Sequence, residues 1–287
     1  MVSFSGFTYT GHETFSCRSY WLKKGYDFLE GNFNFNSPEA PSLLGVGKNM
    51  VRSIKFWLKA FALIEDNQPS FLGVKIFNTK DGWDPYLEDV NTIWLLHYLL
   101  IKHGYARIYS DFFNEFRKRQ SEFTFENFER FLKIRLPNVA ENSLKSDINV
   151  LKNNYVRHSR KNENIEDSFS VFLQEINLID NVSAGIYLFN TRKKKSLDDK
   201  IILFSILDNF YGSTSISFDT LMYEKNSPGT IFCLTQEELF HRIKSIEKLG
   251  PGLVFTEDAG VRELQIDKNF FSNIYKVLES YYEGQKY

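Results

Sequence analysis

Over residues 48–61 the chain repeats Val51, Ile54, Leu58 and Phe61 at three- and four-residue steps, which predicts a helix with one buried side. Lys48, Arg52, Lys55 and Lys59 recur at the same steps on another side. At about 100° per residue these four cations fall within an arc of roughly 60°, with Asn49 and Phe56 beside them. Upstream, Trp21 and Tyr26 lie in a predicted helix over 18–30 that ends at Gly31, and Ser37-Pro38 opens a short helix through Leu44, punctuated by Gly45 and Gly47. Downstream, Phe71–Phe77 is rich in β-forming residues and precedes the turn signal Asp81-Gly82, so it reads as a strand. Helix, helix, glycine turn, helix, strand is the order of a winged helix-turn-helix, whose third helix usually enters a DNA groove.

A weaker copy of this order follows. A predicted helix over 125–134 is broken by Pro137, and Asn142 or Ser143 caps a helix in which Leu144, Ile148, Leu151 and Tyr155 form the buried stripe. Lys145 and Lys152 lie on its exposed side. Arg157, Arg160 and Lys161 then make the densest acid-free cation cluster of the middle chain, before a polar, acidic tip over 162–167. Residues 191–196 read as a linker. Beyond it come helices over 197–210, 218–223 and 236–248, strands over 252–255 and 261–266 around a turn-rich Glu257-Asp258-Ala259-Gly260, and a final helix over 269–282. The expected fold is therefore α+β and mainly helical, with tandem winged-helix-like units and short β-hairpins. It divides into a winged-helix-like DNA-binding domain over 1–105, a second such domain over 106–190, and a helical domain over 191–287 ending in a hairpin and final helix. No residue-by-residue repeat runs at a fixed period.

Composition narrows the partners. An apolar content of 43%, with Phe 28 and Tyr 15 in 287 residues, belongs to a folded chain. Lys+Arg 35 against Asp+Glu 36 leaves a net charge of −1, so the molecule is no polycation and any nucleic-acid contact must come from local patches. The 48–61 segment contains no acid, so its cationic row suits a phosphate backbone, and equally a solvated face. Cys17 and Cys233 make no paired-thiol or zinc spacing, which fits a reduced cytoplasmic compartment. Residues 1–14 lack the pattern of a secretory signal, and the apolar run over 93–101 is too short to span a bilayer, so a soluble cytoplasmic protein is expected.

Three constellations could carry chemistry. Gly45-Val46-Gly47-Lys48 is no nucleotide-binding loop, because Ser42 stands where a glycine is needed and Asn49 where a Ser or Thr is needed. His12-Glu13 pairs an imidazole with a carboxylate. Ser16 stands where a zinc-binding motif needs its second His, which leaves a general acid/base pair, a metal-bound pair, or a hydrogen-bonded clamp. Asp84, Glu88 and Asp89 cluster ahead of the apolar helix, either as hard oxygen ligands for Mg2+ in phosphodiester hydrolysis or as ordinary helix-start acids. His97, inside that helix, reads as a satisfied core histidine.

The segments Gly11-His12-Glu13-Thr14-Phe15, Trp21-Leu22-Lys23-Lys24-Gly25-Tyr26, residues 45–54 and Asp84-Pro85-Tyr86-Leu87-Glu88-Asp89 together resemble the SspB-like family, bacterial proteins first catalogued as a domain of unknown function. Weaker echoes at 142–147 and 227–232 extend the likeness along nearly the whole chain. Ser16 departs from it, since proline is expected there. The resemblance implies a DNA-nicking component of a system that places phosphorothioate linkages in DNA for antiphage defence. It also implies cysteine desulfurase, ATPase and reductase-like partners. Together these lines lead to duplex DNA bound by Lys48, Asn49, Arg52, Lys55 and Lys59, and by Arg157, Arg160 and Lys161. They give Mg2+-assisted nicking with Asp84, Glu88 and Asp89 as metal ligands and His12 and Glu13 as proton carriers. A non-catalytic DNA-binding regulator and an interaction scaffold of a DNA-modification complex are the alternatives, distinguished by whether acids from elsewhere interrupt the cationic row.

Overall fold

Amphipathic periodicity produces the first elements of the computed structural model, which describes residues 8–157, 171–258 and 260–285. Arg160, Lys161 and the expected tip over 162–167 lie outside the described residues. Helix α1 (Ser19–Glu30) buries Trp21, Leu22, Tyr26, Phe28 and Leu29, and α2 (Ala40–Leu44) ends on Gly45 in the left-handed conformation. Helix α3 (Lys48–Ala60) buries Val51, Ile54, Phe56, Trp57 and Leu58. It is followed by a hairpin of β1 (Ile64–Glu65) and β2 (Gln68–Pro69), whose turn residues Asp66 and Asn67 both take the positive φ of a primed turn.

Phe71–Phe77, expected as a strand, is instead helix α4. Its buried residues Leu72, Gly73, Ile76 and Phe77 follow helical rather than alternating spacing, and the Ser70 hydroxyl caps it by accepting from the Gly73 N–H at 3.1 Å. Gly73 allows close packing: a Cβ there would stand 2.3 Å from the Leu63 carbonyl oxygen. Helix α5 (Val90–His103) is apolar almost all round. Within it His97 is fully buried and its Nδ1 meets the Tyr155 hydroxyl at 2.7 Å, the satisfied core histidine that its surroundings predict.

Helix α6 (Arg107–Ser110) continues into a π-helical turn over Asp111–Phe116. The turn brings Phe112, Phe113 and Phe116 into one aromatic core. Phe112 has ring centres 4.8 Å from Phe128 and 4.9 Å from Phe189. Strands β3 (Glu122–Phe123), β4 (Ile179–Ser183) and β5 (Ile186–Phe189) form an antiparallel sheet in the order β3-β5-β4, beside α7 (Phe125–Arg135) and α8 (Glu141–Tyr155). Two compact units divide the chain between Phe189 and Asn190. Residues on either side of position 105, assigned above to separate domains, share the first unit: Trp57 packs on Tyr109 and His97 on Phe113.

The second unit contains α9 (Asp199–Asn209), β6 (Ser215–Ser217), α10 (Phe218–Tyr223), α11 (Pro228–Ile231), α12 (Gln236–Ile246), β7 (Leu253–Asp258), β8 (Val261–Ile266) and α13 (Tyr275–Gly284). Its antiparallel sheet has the order β6-β8-β7. The chain thus mixes α and β, is mainly helical, and has only small antiparallel sheets. No helix among the described residues is long and apolar enough to cross a membrane.

Candidate nucleic-acid interface

The cationic row on α3 faces solvent. Lys48, Asn49 and Arg52 are exposed, while Lys55 and Lys59 are half-buried. Among the described residues one acid reaches the row: Glu13 Oε1 lies 3.4 Å from Arg52 Nη1, and Arg52 keeps 56% of its side-chain surface open. An exposed pair at that distance contributes about 1 kcal/mol or less, so it orients Arg52 without cancelling the row. Lys55 donates to Asn36 Oδ1 at 3.2 Å, and Lys59 lies 5.9 Å from the Tyr105 ring centre. Burial, then the Lys59 charge, lowers the Lys55 pKa, which marks Lys55 and Lys59 as unneutralised neighbours.

Beneath the row runs the loop over 11–15. Gly11 takes a φ of 135° and a Cβ there would stand 2.8 Å from the Phe56 ring, so the position requires glycine. Glu13 and Thr14 also have positive φ, a strained conformation for residues with side chains. What holds the loop is His12. Its ring lies between Phe56, edge-on at 5.6 Å, and Trp57, stacked at 6.4 Å. The Thr14 N–H donates to Nδ1 at 3.1 Å, so the ring proton sits on Nε2 and is donated to Asp147 Oδ1 on α8 at 2.6 Å. His12 and Asp147 are 4% and 1% exposed. Burial raises the Asp147 pKa, and the hydrogen bond from His12 opposes that rise. Both ring nitrogens of His12 are engaged inside the protein, which is the clamp geometry among the roles open to it. Further along α8, Asn154 accepts from the Cys17 N–H at 3.1 Å and donates to the Tyr109 hydroxyl at 2.6 Å, tying the end of the same segment down.

The opposite face of α8 is polar and open. Thr14, Asn142, Lys145, Ser146, Asn149, Val150 and Asn153 line a shallow groove of about 330 Å3 that includes no carboxylate. The side chains of Asn142, Ser146, Asn149 and Asn153 make no hydrogen bond to another described residue. Their four- and three-residue spacing is present in the sequence, beside Lys145 and Lys152 on the same helix. Arg157, in the second predicted surface, donates to the carbonyls of Gln174 at 3.1 Å and Glu175 at 3.4 Å and so braces a neighbouring turn.

The acid cluster is used locally. Asp84 is buried and accepts the Glu88 N–H at 2.8 Å with one oxygen and the Asp89 N–H at 3.0 Å with the other. Asp89 caps α5 by accepting from the Asn91 N–H at 2.8 Å. Among the described residues no group of three or more His, Cys, Asp or Glu stands together to hold a metal ion. Asp84 and Asp89 thus spend carboxylate oxygens on backbone amides, the helix-start role among those open to the cluster. Asp84→Ala is expected to lower stability by about 1–3 kcal/mol by orphaning two amides, equally with Mg2+ and with a chelator. Urea unfolding measures this, and a chelator that destabilised the wild type by the same amount would contradict it.

The profile of a family described as "Protein of unknown function (DUF4007)" matches residues 9–282. No curated protein matches the chain. A solved structure described as "Magnesium ion-bound SspB crystal structure" is similar with a TM-score of 0.84 and 26% identity, over 98% of this chain and 88% of that one. A second, "SspB crystal structure", has a TM-score of 0.84 and 27% identity over the same shares.

Proposed function

This chain belongs to the DUF4007 family, and on that premise we propose that it binds duplex DNA through α3 as part of an Ssp-type system that installs phosphorothioate linkages in DNA and defends against phage. The observation that carries this reading is the solvent-facing row Lys48, Arg52, Lys55 and Lys59 on one helix, contacted among the described residues by the single acid Glu13. In this reading α1 to α3 and the β1–β2 hairpin work as a winged-helix-like unit, with α3 as the helix set against the duplex and its phosphates and Asn49 beside the cations. Its enzymatic part is nicking of one strand in the cytoplasm, opening the backbone where sulfur replaces oxygen. A cysteine desulfurase, an ATPase and a reductase-like enzyme act with it. Glu13, in contact with the row, is the titratable group placed at the strand, and His12 serves by holding the loop.

Supercoiled plasmid incubated with the purified protein, with and without Mg2+, beside a filter-binding salt titration on linear duplex, tests both parts. The expected result is conversion to open circles and binding that falls log-linearly with salt. Binding with intact plasmid would remove the nicking. No duplex binding at low salt would remove the whole reading.

A further inference from the structure

We infer that the outer face of α8, formed by Asn142, Ser146, Asn149 and Asn153, reads base edges in the duplex whose backbone α3 attracts; this rests on the DNA-binding reading above. The four residues step along α8 by four, three and four positions, the same steps that separate Lys48, Arg52, Lys55 and Lys59 on α3. Each set makes one straight row about 16 Å long, the length of roughly five base steps. One row is wholly cationic and the other wholly neutral and hydrogen-bonding. Phosphates need the first kind of surface, and base edges need the second.

Nothing among the described residues accounts for the amides. Asn is a poor residue for a helix interior, and Asn149 and Asn153 gain no side-chain hydrogen bond that would offset the loss. The inward side of the same helix engages its polar groups, Asp147 with His12 and Asn154 with Cys17 and Tyr109. A carboxamide carries a donor and an acceptor side by side, which matches the N6 and N7 edge of adenine in the major groove. The groove's lining includes no carboxylate, and Lys145 at its edge is paired with the exposed Glu141 at 2.6 Å, so that edge is neutral. Position relative to α3 is fixed within one unit. Thr14 lines the groove, the adjacent Glu13 touches Arg52, and His12 binds Asp147 beneath both. The two rows thus border the same loop.

Selection of bound duplexes from a random-sequence pool, followed by sequencing, tests the inference on wild type, Asn149→Ala/Asn153→Ala and Lys48→Ala. Wild type is expected to enrich an adenine-containing motif. The double Asn variant is expected to melt slightly above wild type, because alanine is the better helix former, to keep pool affinity and salt slope, and to lose preference for that motif by about ten- to a hundredfold. Asn149→Asp, which keeps shape but loses the amide donor, should lose the preference too. Lys48→Ala should weaken pool binding and leave the motif unchanged. Enrichment of the same motif by the double Asn variant, or pool binding by wild type with no motif, overturns the inference and leaves DNA binding intact, freeing this face for a protein partner. A wild type that does not bind the pool overturns the DNA-binding reading itself, and this inference with it.

Discussion

A Lys48→Ala/Arg52→Ala/Lys59→Ala variant is expected to bind duplex DNA about a hundredfold more weakly than wild type at about 0.15 M salt, with a log–log salt slope shallower by about 2.7. The slope follows from three lost phosphate contacts, each releasing about 0.9 of a counterion from the duplex on binding. Lys55 is left in place because its amine is partly buried, is held by Asn36 and has a lowered pKa, so it offers the weakest contact of the four. Lys48 and Arg52 are exposed and Lys59 is half-buried with its amine over the Tyr105 ring, so the melting temperature should stay close to wild type. Removing Arg52 also releases Glu13, which leaves an uncompensated carboxylate on the surface and adds to the loss. Equilibrium binding at several salt concentrations measures both quantities. A variant with the wild-type slope would show that these cations face water only, and the proposed function would lose its carrying observation.

Much of this surface was legible in the sequence, since a helix with separate apolar and cationic steps needs no distant partner to be recognised. The three helices and Gly45 end near where capping and periodicity place them, because those signals are local. Phe71–Phe77 was misread for a physical reason. Val, Ile and Phe favour strands on average, but burial here follows a helical period and Ser70 supplies a cap, and tertiary packing against Leu63 overrides propensity. The partner of His12 was beyond reach, since Asp147 lies 135 residues away and nothing in either local segment points to the other. The carboxylates Asp84 and Asp89 illustrate the converse. The same residue types at the same spacing serve a metal or a helix start, and the backbone amides that Asp84 and Asp89 accept show them in the second role.

Asp147→Ala is expected to destabilise the protein by about 2–3 kcal/mol and to weaken DNA binding, whereas Asp147→Asn should cost less than about 1 kcal/mol and leave binding near wild type. The distinction lies in what His12 needs. Its Nε2–H requires an acceptor, and an amide oxygen at position 147 supplies one in nearly the same place, whereas alanine leaves a buried donor unpaired. The loop over 11–15, strained at Glu13 and Thr14, then loses its fastening to α8, and Glu13 and Thr14 move with it at the edge of both polar rows. The pH dependence separates hydrogen bonding from charge. Burial raises the Asp147 pKa above its ordinary 3.8, so in the window between that value and the raised one the folded chain holds a proton that the unfolded chain has released. Stability contributed by this group therefore falls as pH rises through the window and is flat above it. Neither variant titrates at this position, so both should lose that descent, and only alanine should lose the acceptor. Urea unfolding across the acid range, run beside the salt titration, measures all three effects. Equal losses for the alanine and asparagine variants would mean that Asp147 acts through its charge and that the hydrogen bond to His12 does not hold the loop.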